Sequence, residues 1–295
     1  MQREDSLAHL SKNRLAGLRK QRVGVIVLTM VSVITVIPII ALIIFILKNG
    51  LAAISWEFVS AYPSNGMRDG GILPAIVGTL YLTLGTALFS VPPGIAAAIY
   101  LSEYAKDTKL TRAIRIAMVN LAGIPSVVYG LFGLGLFVLF LKFGTSILAA
   151  SLTLSIMTLP IIVSTTEEAL RTVPNSFRVV SISLGASRWQ TIWKIVLPQS
   201  LPGILTGIIL GLERAAGETA PILFTGATFF LPQLPHSPFD ATMALPYHLY
   251  VISTQIPGMP IQIQYGTVLV LLGFVLTMNL IATFIRSRAR SKRHW

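Results

Sequence analysis

Arg214 and Glu218 lie four residues apart in an apolar stretch from about 199 to 231 whose only other charged residue is Glu213. A charged side chain at bilayer depth costs at least about 2.5 kcal/mol, so such a residue faces protein or water and marks a site. Arginine carries a rigid fork of donors that matches oxyanion oxygens bidentately, and its charge persists at any working pH. Glu218, one helical turn on, would hold the guanidinium when no anion is present and spare an unpaired buried charge. A competing carboxylate would also weaken binding enough to permit release. The pattern predicts an anion pathway in which Arg214 contacts the ligand and Glu218 positions it. The plain alternative is an ion pair that locks helices together. Glu213 would point about 100° away from Arg214 and is given no part in the pathway, while Gly217 would let another backbone approach closely.

The elements that must position these residues are membrane helices. Of the 295 residues, 54% are hydrophobic and 12% charged, and the mean hydropathy is +0.75; these values describe a polytopic membrane protein whose solvent is the lipid bilayer. The net charge of +12 does not signal nucleic-acid binding, because the basic residues form short clusters between apolar runs and no single stripe. With no cysteine there is no disulfide framework and no thiolate metal site. The four histidines, His9, His236, His248 and His294, are scattered without ligand spacing, and no metal site is expected.

Apolar runs near 23–47, 72–101, 113–141, 146–163, 199–231 and 265–285 are long enough to span about 30 Å of hydrocarbon, which predicts an all-α protein of six transmembrane helices. The expected organisation is a cytoplasmic N-terminal segment (1–22), a transmembrane domain (23–285) and a basic cytoplasmic tail (286–295). Nineteen of the 23 Lys and Arg residues fall in the N-terminal segment, in the second and fourth connections or in the tail. The positive-inside rule therefore places both termini in the cytoplasm.

Pro92-Pro93 and the run Gly123-Ile124-Pro125-Ser126 should bend or end their helices. Such breaks persist in lipid only where protein or a water-filled cavity covers the freed backbone. A hydroxyl just past a break, Ser126 or Thr219, lies where free N–H groups could face an anion, although such hydroxyls also bond to their own helix backbone.

The connection between the fourth and fifth spans, about 164–198, has a specific spacing: Gly185-Ala186-Ser187, then Ile195-Val196-Leu197-Pro198, with nine residues between Gly185 and Ile195. Gly185 permits a sharp turn between two short helices, and Pro198 fits the start of the next helix. Ile192, Trp193, Ile195 and Val196 would give the second short helix an apolar face for a partner. This spacing resembles the coupling-loop signature of bacterial ABC importer permeases. It departs from that pattern at Val179-Val180-Ser181, where those permeases usually carry Glu-Ala-Ala; Glu167-Glu168-Ala169 is out of register.

Residues 212–221 (LERAAGETAP) and 120–130 (NLAGIPSVVYG), taken with the loop, resemble the permease subunits of bacterial phosphate-specific ABC importers over about 72–282. The resemblance implies a type I importer permease of the bacterial cytoplasmic membrane that pairs with a second, similar permease subunit. Gly185, Ala186, Ser187, Ile195, Leu197 and Pro198 would couple to ATPase subunits, and an extracytoplasmic phosphate-binding protein would deliver substrate. No G-x-x-x-x-G-K-[ST] phosphate loop occurs in the chain, so by that route it does not bind ATP. ATP and Mg are expected on the partner ATPase and no cofactor on this chain. Rivals are a permease for another oxyanion, molybdate or sulfate, a secondary anion transporter, and a non-transporting scaffold. The segment 232–264 holds six prolines, which stiffen it into an ordered surface. Tyr247, His248 and Tyr250 are expected on that surface or in a short interfacial helix.

Overall fold

The structure is a computed structural model describing residues 2–291, with side chains from 21 to 288. In chain order the helices are α1 (Gln2–Gly50), α2 (Trp56–Ser60), α3 (Leu73–Ile99), α4 (Lys109–Ala122), α5 (Ser126–Gly133), α6 (Ile147–Arg171), α7 (Asn175–Ser183), α8 (Arg188–Thr191), α9 (Leu197–Gly217), α10 (Ala220–Thr225), α11 (Leu245–Thr254) and α12 (Ile261–Ser291). Strands β1 (Pro63–Ser64) and β2 (Asp69–Gly70) form a small antiparallel hairpin.

Among the described residues, five helices are long and apolar enough to cross a membrane, or six if the pair Lys109–Ala122 and Ser126–Phe140, bent by 102°, counts as one span. The third expected span is thus a broken helix, with the break at Gly123–Pro125. Pro92 and Pro93 behave differently, since α3 continues through them to Ile99. The fifth expected span ends early, at Gly217, and α10 follows as a separate short helix. The first helix is continuous from Gln2 to Gly50, and its apolar candidate span begins at Gln21. The expected tail begins within α12, and residues 292–295 lie outside the described residues.

The most deeply buried long helix is α6, packed between α3 and α9. It carries the apolar residues Leu154, Met157, Ile162 and Leu170, all nearly inaccessible. Small residues allow this proximity: Gly94 of α3 faces Ile162, and Gly85 faces Ser151. Outside this core, α1 and α12 pack on one another and expose apolar side chains such as Leu28 and Leu280 over most of their surface. A helix that is apolar all round suits contact with lipid or another membrane helix.

One end of the bundle gathers the hairpin and the segment 226–260. Arg68 Nη2 donates to Pro257 O at 2.7 Å, Leu245 N to Thr79 Oγ1 at 2.8 Å and Ile147 N to Asp240 O at 2.9 Å. This proline-rich segment is ordered, and residues 245–254 form the short helix α11. Of the two placements expected for Tyr247, His248 and Tyr250 the short helix is the one that forms, and within it His248 is not on the surface: it is 2% exposed, on the face of α11 turned toward the core. Tyr250 stays exposed and stacks on Tyr247 with ring centroids 6.2 Å apart. The opposite end carries α7 and α8.

Candidate functional site

The seam between α9 and α6 is set by three glycines spaced four residues apart. An added Cβ would meet Ala169 at Gly203, Thr165 at Gly207 and Ile162 at Gly211, so the two backbones lie closer than larger residues would permit. Ala215 continues the buried stripe, and Arg214 emerges beside it.

After Gly217 the chain leaves the helix. Glu218 is extended, with φ −76° and ψ 136°, and its N–H reaches back to Ala215 O at 3.3 Å. That turn brings Glu218 Oε1 to 3.3 Å from Arg214 Nε, with the side chains 17% and 36% exposed respectively. The expected pair is present, but it spans the helix terminus and does not lie along a helix face. Nothing packs within 4 Å of the position a Cβ on Gly217 would take, so the expected close backbone approach there is absent. Glu213 takes no part in the pair, yet its Oε1 is buried without a hydrogen-bond partner.

The two chain breaks meet. A Cβ on Gly130 would sit 3.0 Å from both Ala220 O and Pro221 Cα, so α5 lies directly against α10. Tyr129 is buried and donates its hydroxyl to Leu121 O at 2.7 Å across the α4–α5 bend. It shares a core cluster with Leu82, Leu154, Met157, Ala215 and Ile222, and Ala215 is the residue next to Arg214. Sequence reasoning missed Tyr129. The available signal was an aromatic residue carrying a hydroxyl four positions after a helix-breaking proline.

Ser126 opens α5 and is half-buried; it stands one turn before Tyr129 on the same helix. Thr219 precedes α10, half-buried, and its side chain caps nothing. Arg214 and Glu218 are therefore brought together, Tyr129 packs in the cluster that holds the neighbouring Ala215, and Ser126 and Thr219 stand at the two breaks. Broken helices expose backbone N–H groups, which together with a guanidinium can coordinate an anion. No group of His, Asp and Glu able to hold a metal occurs among the described residues.

At the far end, the Gly185 turn has φ +87°, a conformation that glycine adopts freely. Ala186 N donates to Ser181 O at 3.2 Å as the chain reverses. Ser187 then caps α8 in a reciprocal pattern: its Oγ accepts from Gln190 N at 3.2 Å, and Gln190 Oε1 accepts from Ser187 N at 2.9 Å. Such a capping box settles two otherwise unpaired donors. The helix continues through a π-helical turn, Ile192–Val196, into α9, where Leu197 and Pro198 form the first turn. Ile192 and Val196 are 3% and 0% exposed, so they anchor the loop to its own bundle and are not available to a partner. The outward face is instead Leu184, Trp189 and Trp193, with Ile195 half-buried. The two tryptophan rings lie 5.3 Å apart. A hollow of about 370 Å³ bounded by Val180, Leu184, Ala186 and Ile195 opens beside them. Val179 and Val180 are exposed, while Ser181 is buried and bonded to Thr191 Oγ1 at 2.9 Å.

A bundle of membrane-crossing helices, a charged pair at a chain break within it and a capped two-helix loop at one end define a membrane-embedded transport subunit. The chain belongs to the family of binding-protein-dependent transport system inner membrane components, whose family model matches residues 90–291. It is 33% identical over 261 residues to the probable ABC transporter permease protein YqgI of Bacillus subtilis, covering 84% of this chain and 88% of that protein. It is 34% identical over 266 residues to the phosphate transport system permease protein PstA 1 of Mycobacterium tuberculosis, covering 88% and 86%. A probable phosphate transport system permease protein PstA of Methanocaldococcus jannaschii is 31% identical, covering 88% and 92%. Among solved structures, an inward-facing MetNI methionine ABC transporter chain superposes with a TM-score of 0.60 at 18% identity, covering 73% of this chain and 94% of that one. That likeness supports the importer-permease fold.

Proposed function

We propose that this chain is a membrane-spanning subunit of an ATP-driven importer that moves inorganic phosphate across the cytoplasmic membrane. The observation that carries the reading is the Arg214–Glu218 pair at a helix break in the membrane bundle, within a chain similar over most of its length to phosphate permeases. Arg214 contacts the oxyanion in transit and Glu218 exchanges with it for the guanidinium; Ser126 and Thr219 supply hydroxyls along the path. The chain makes and breaks no covalent bond. ATP and Mg belong to ATPase subunits, which dock on the loop through Gly185, Ala186, Ser187, Ile195, Leu197 and Pro198. A second permease subunit of similar fold completes the pathway, and a phosphate-binding protein docks on the extracytoplasmic side. Both termini lie in the cytoplasm, as the distribution of basic residues favours.

The test is phosphate uptake by the assembled transporter, wild type against Arg214→Ala at equal membrane levels. ATP-dependent uptake that disappears in the variant supports the reading. Uptake equal in both makes the pair structural, and uptake in neither directs the assay to molybdate and sulfate.

A further inference from the structure

The guanidinium of Arg178 joins three segments. Nη2 and Nε donate to the two carboxylate oxygens of Glu103 at 2.6 and 3.1 Å. Nη1 donates to Val173 O at 2.7 Å, and Nη2 also reaches Leu170 O at 3.0 Å. The side chains of Arg178 and Glu103 are 18% and 10% exposed. Arg178 belongs to α7, the first helix of the loop; Leu170 lies in the last turn of α6; Glu103 lies in the π-helical turn Tyr100–Tyr104 that follows α3. Next to this junction, Arg115 Nη2 donates to Leu101 O at 2.9 Å and its Nε to Glu167 Oε1 at 2.9 Å, so the end of α3 is held from two sides. The buried contacts of α7 are Ser181 and the packing of Phe177 on Leu170, Val173 and Val196, whereas Val179, Val180, Ile182 and Leu184 are exposed.

We propose that Arg178 is a positioning residue that transmits displacement of the loop to α3 through Glu103. This rests on the reading that an ATPase acts on the loop. A bidentate arginine–carboxylate pair fixes direction as well as distance, which a lysine cannot reproduce. A load applied to α7 therefore reaches α3 directly, and α3 packs along α6 and α9, the helix that carries Arg214. Single π-helical turns recur where helices must yield at functional sites; one, Tyr100–Tyr104, carries Glu103 itself, and another, Ile192–Val196, follows α8 in the same loop. A cavity of about 520 Å³ bounded by Ser102, Asn175, Arg178, Arg188 and Ile192 leaves room for the clamp to shift as a unit.

The experiment compares wild type, Arg178→Lys and Glu103→Gln in the complete transporter reconstituted with its binding protein. It measures ATPase subunits retained, ATP hydrolysed and phosphate taken up. Both variants should retain the ATPase subunits and hydrolyse ATP, with uptake per ATP lowered roughly tenfold. If uptake and hydrolysis fall together at an unchanged ratio, or the ATPase subunits are lost in proportion to the uptake, the residues are merely structural and the proposal is overturned. A wild-type complex without ATP-dependent uptake defeats the importer reading and the clamp together; an active wild type with variants at its ratio defeats the clamp alone.

Discussion

Arg214 Nε lies 3.3 Å from Glu218 Oε1 although the helix carrying the arginine ends at Gly217, between them. Because Glu218 stands on extended backbone, the carboxylate can swing away from Arg214 without unwinding a helical turn. Replacing it should separate holding from charge balance. Glu218→Gln should keep the transporter assembled and bind phosphate more tightly, since the competing charge is gone, while uptake slows severalfold. Phosphate retained on the purified complex, measured beside the uptake rate, checks this; weaker retention would remove Glu218 from the exchange.

The glycine stripe makes a steric prediction. A leucine at Gly207 must displace Thr165, which an added Cβ would already strike, so Gly207→Leu should cost about 1–3 kcal/mol by overpacking and misplace Arg214. Gly217→Ala, with nothing within 4 Å of the new Cβ, should be tolerated to within about 0.5 kcal/mol. Thermal unfolding of the two variants in detergent should separate them clearly.

His248 gives a pH dependence. Burial lowers its pKa from 6.5 to about 4, and neither ring nitrogen has a hydrogen-bond partner. The unfolded chain binds a proton as pH falls through 6.5, whereas the folded chain does so only near 4. Stability is therefore intact above pH 6.5 and declines between 6.5 and 4, by about 3 kcal/mol in all. Folded-state stability measured across that window should lose this component in His248→Leu. A slope unchanged by the substitution would assign the effect to other groups.

The loop turn depends on one backbone angle. A valine at Gly185 must adopt φ +87°, at about 1–3 kcal/mol, and should loosen the turn before the Ser187 cap. Trp193→Ala removes an exposed ring and should leave stability nearly unchanged. Both should reduce the ATPase subunits that co-purify with the chain. If Trp193→Ala retains them fully, the tryptophan face is not the docking surface.

Properties carried by local pattern were legible in the sequence. Apolar run length gave the helical membrane bundle, because lipid admits only segments that satisfy their own backbone. Gly185, Ser187 and Pro198 announced the two-helix loop, since turn and cap chemistry act over three or four residues. Arg214 and Glu218 stood out because charge is rare at that depth. Facing and continuity were decided by tertiary packing. Pro92-Pro93 lies within an unbroken α3, whereas Gly123–Pro125 turns the chain by 102°, so a helix-breaking residue does not by itself decide whether the helix ends. Ile192 and Val196 turned inward, His248 entered the core, and Tyr129 joined the cluster of Ala215 from a span more than eighty residues earlier. A sequence records which side chains are apolar or charged, but which of them meet depends on the rotation of each helix, and here that rotation is fixed by contacts such as Gly207 on Thr165 that only the assembled bundle contains.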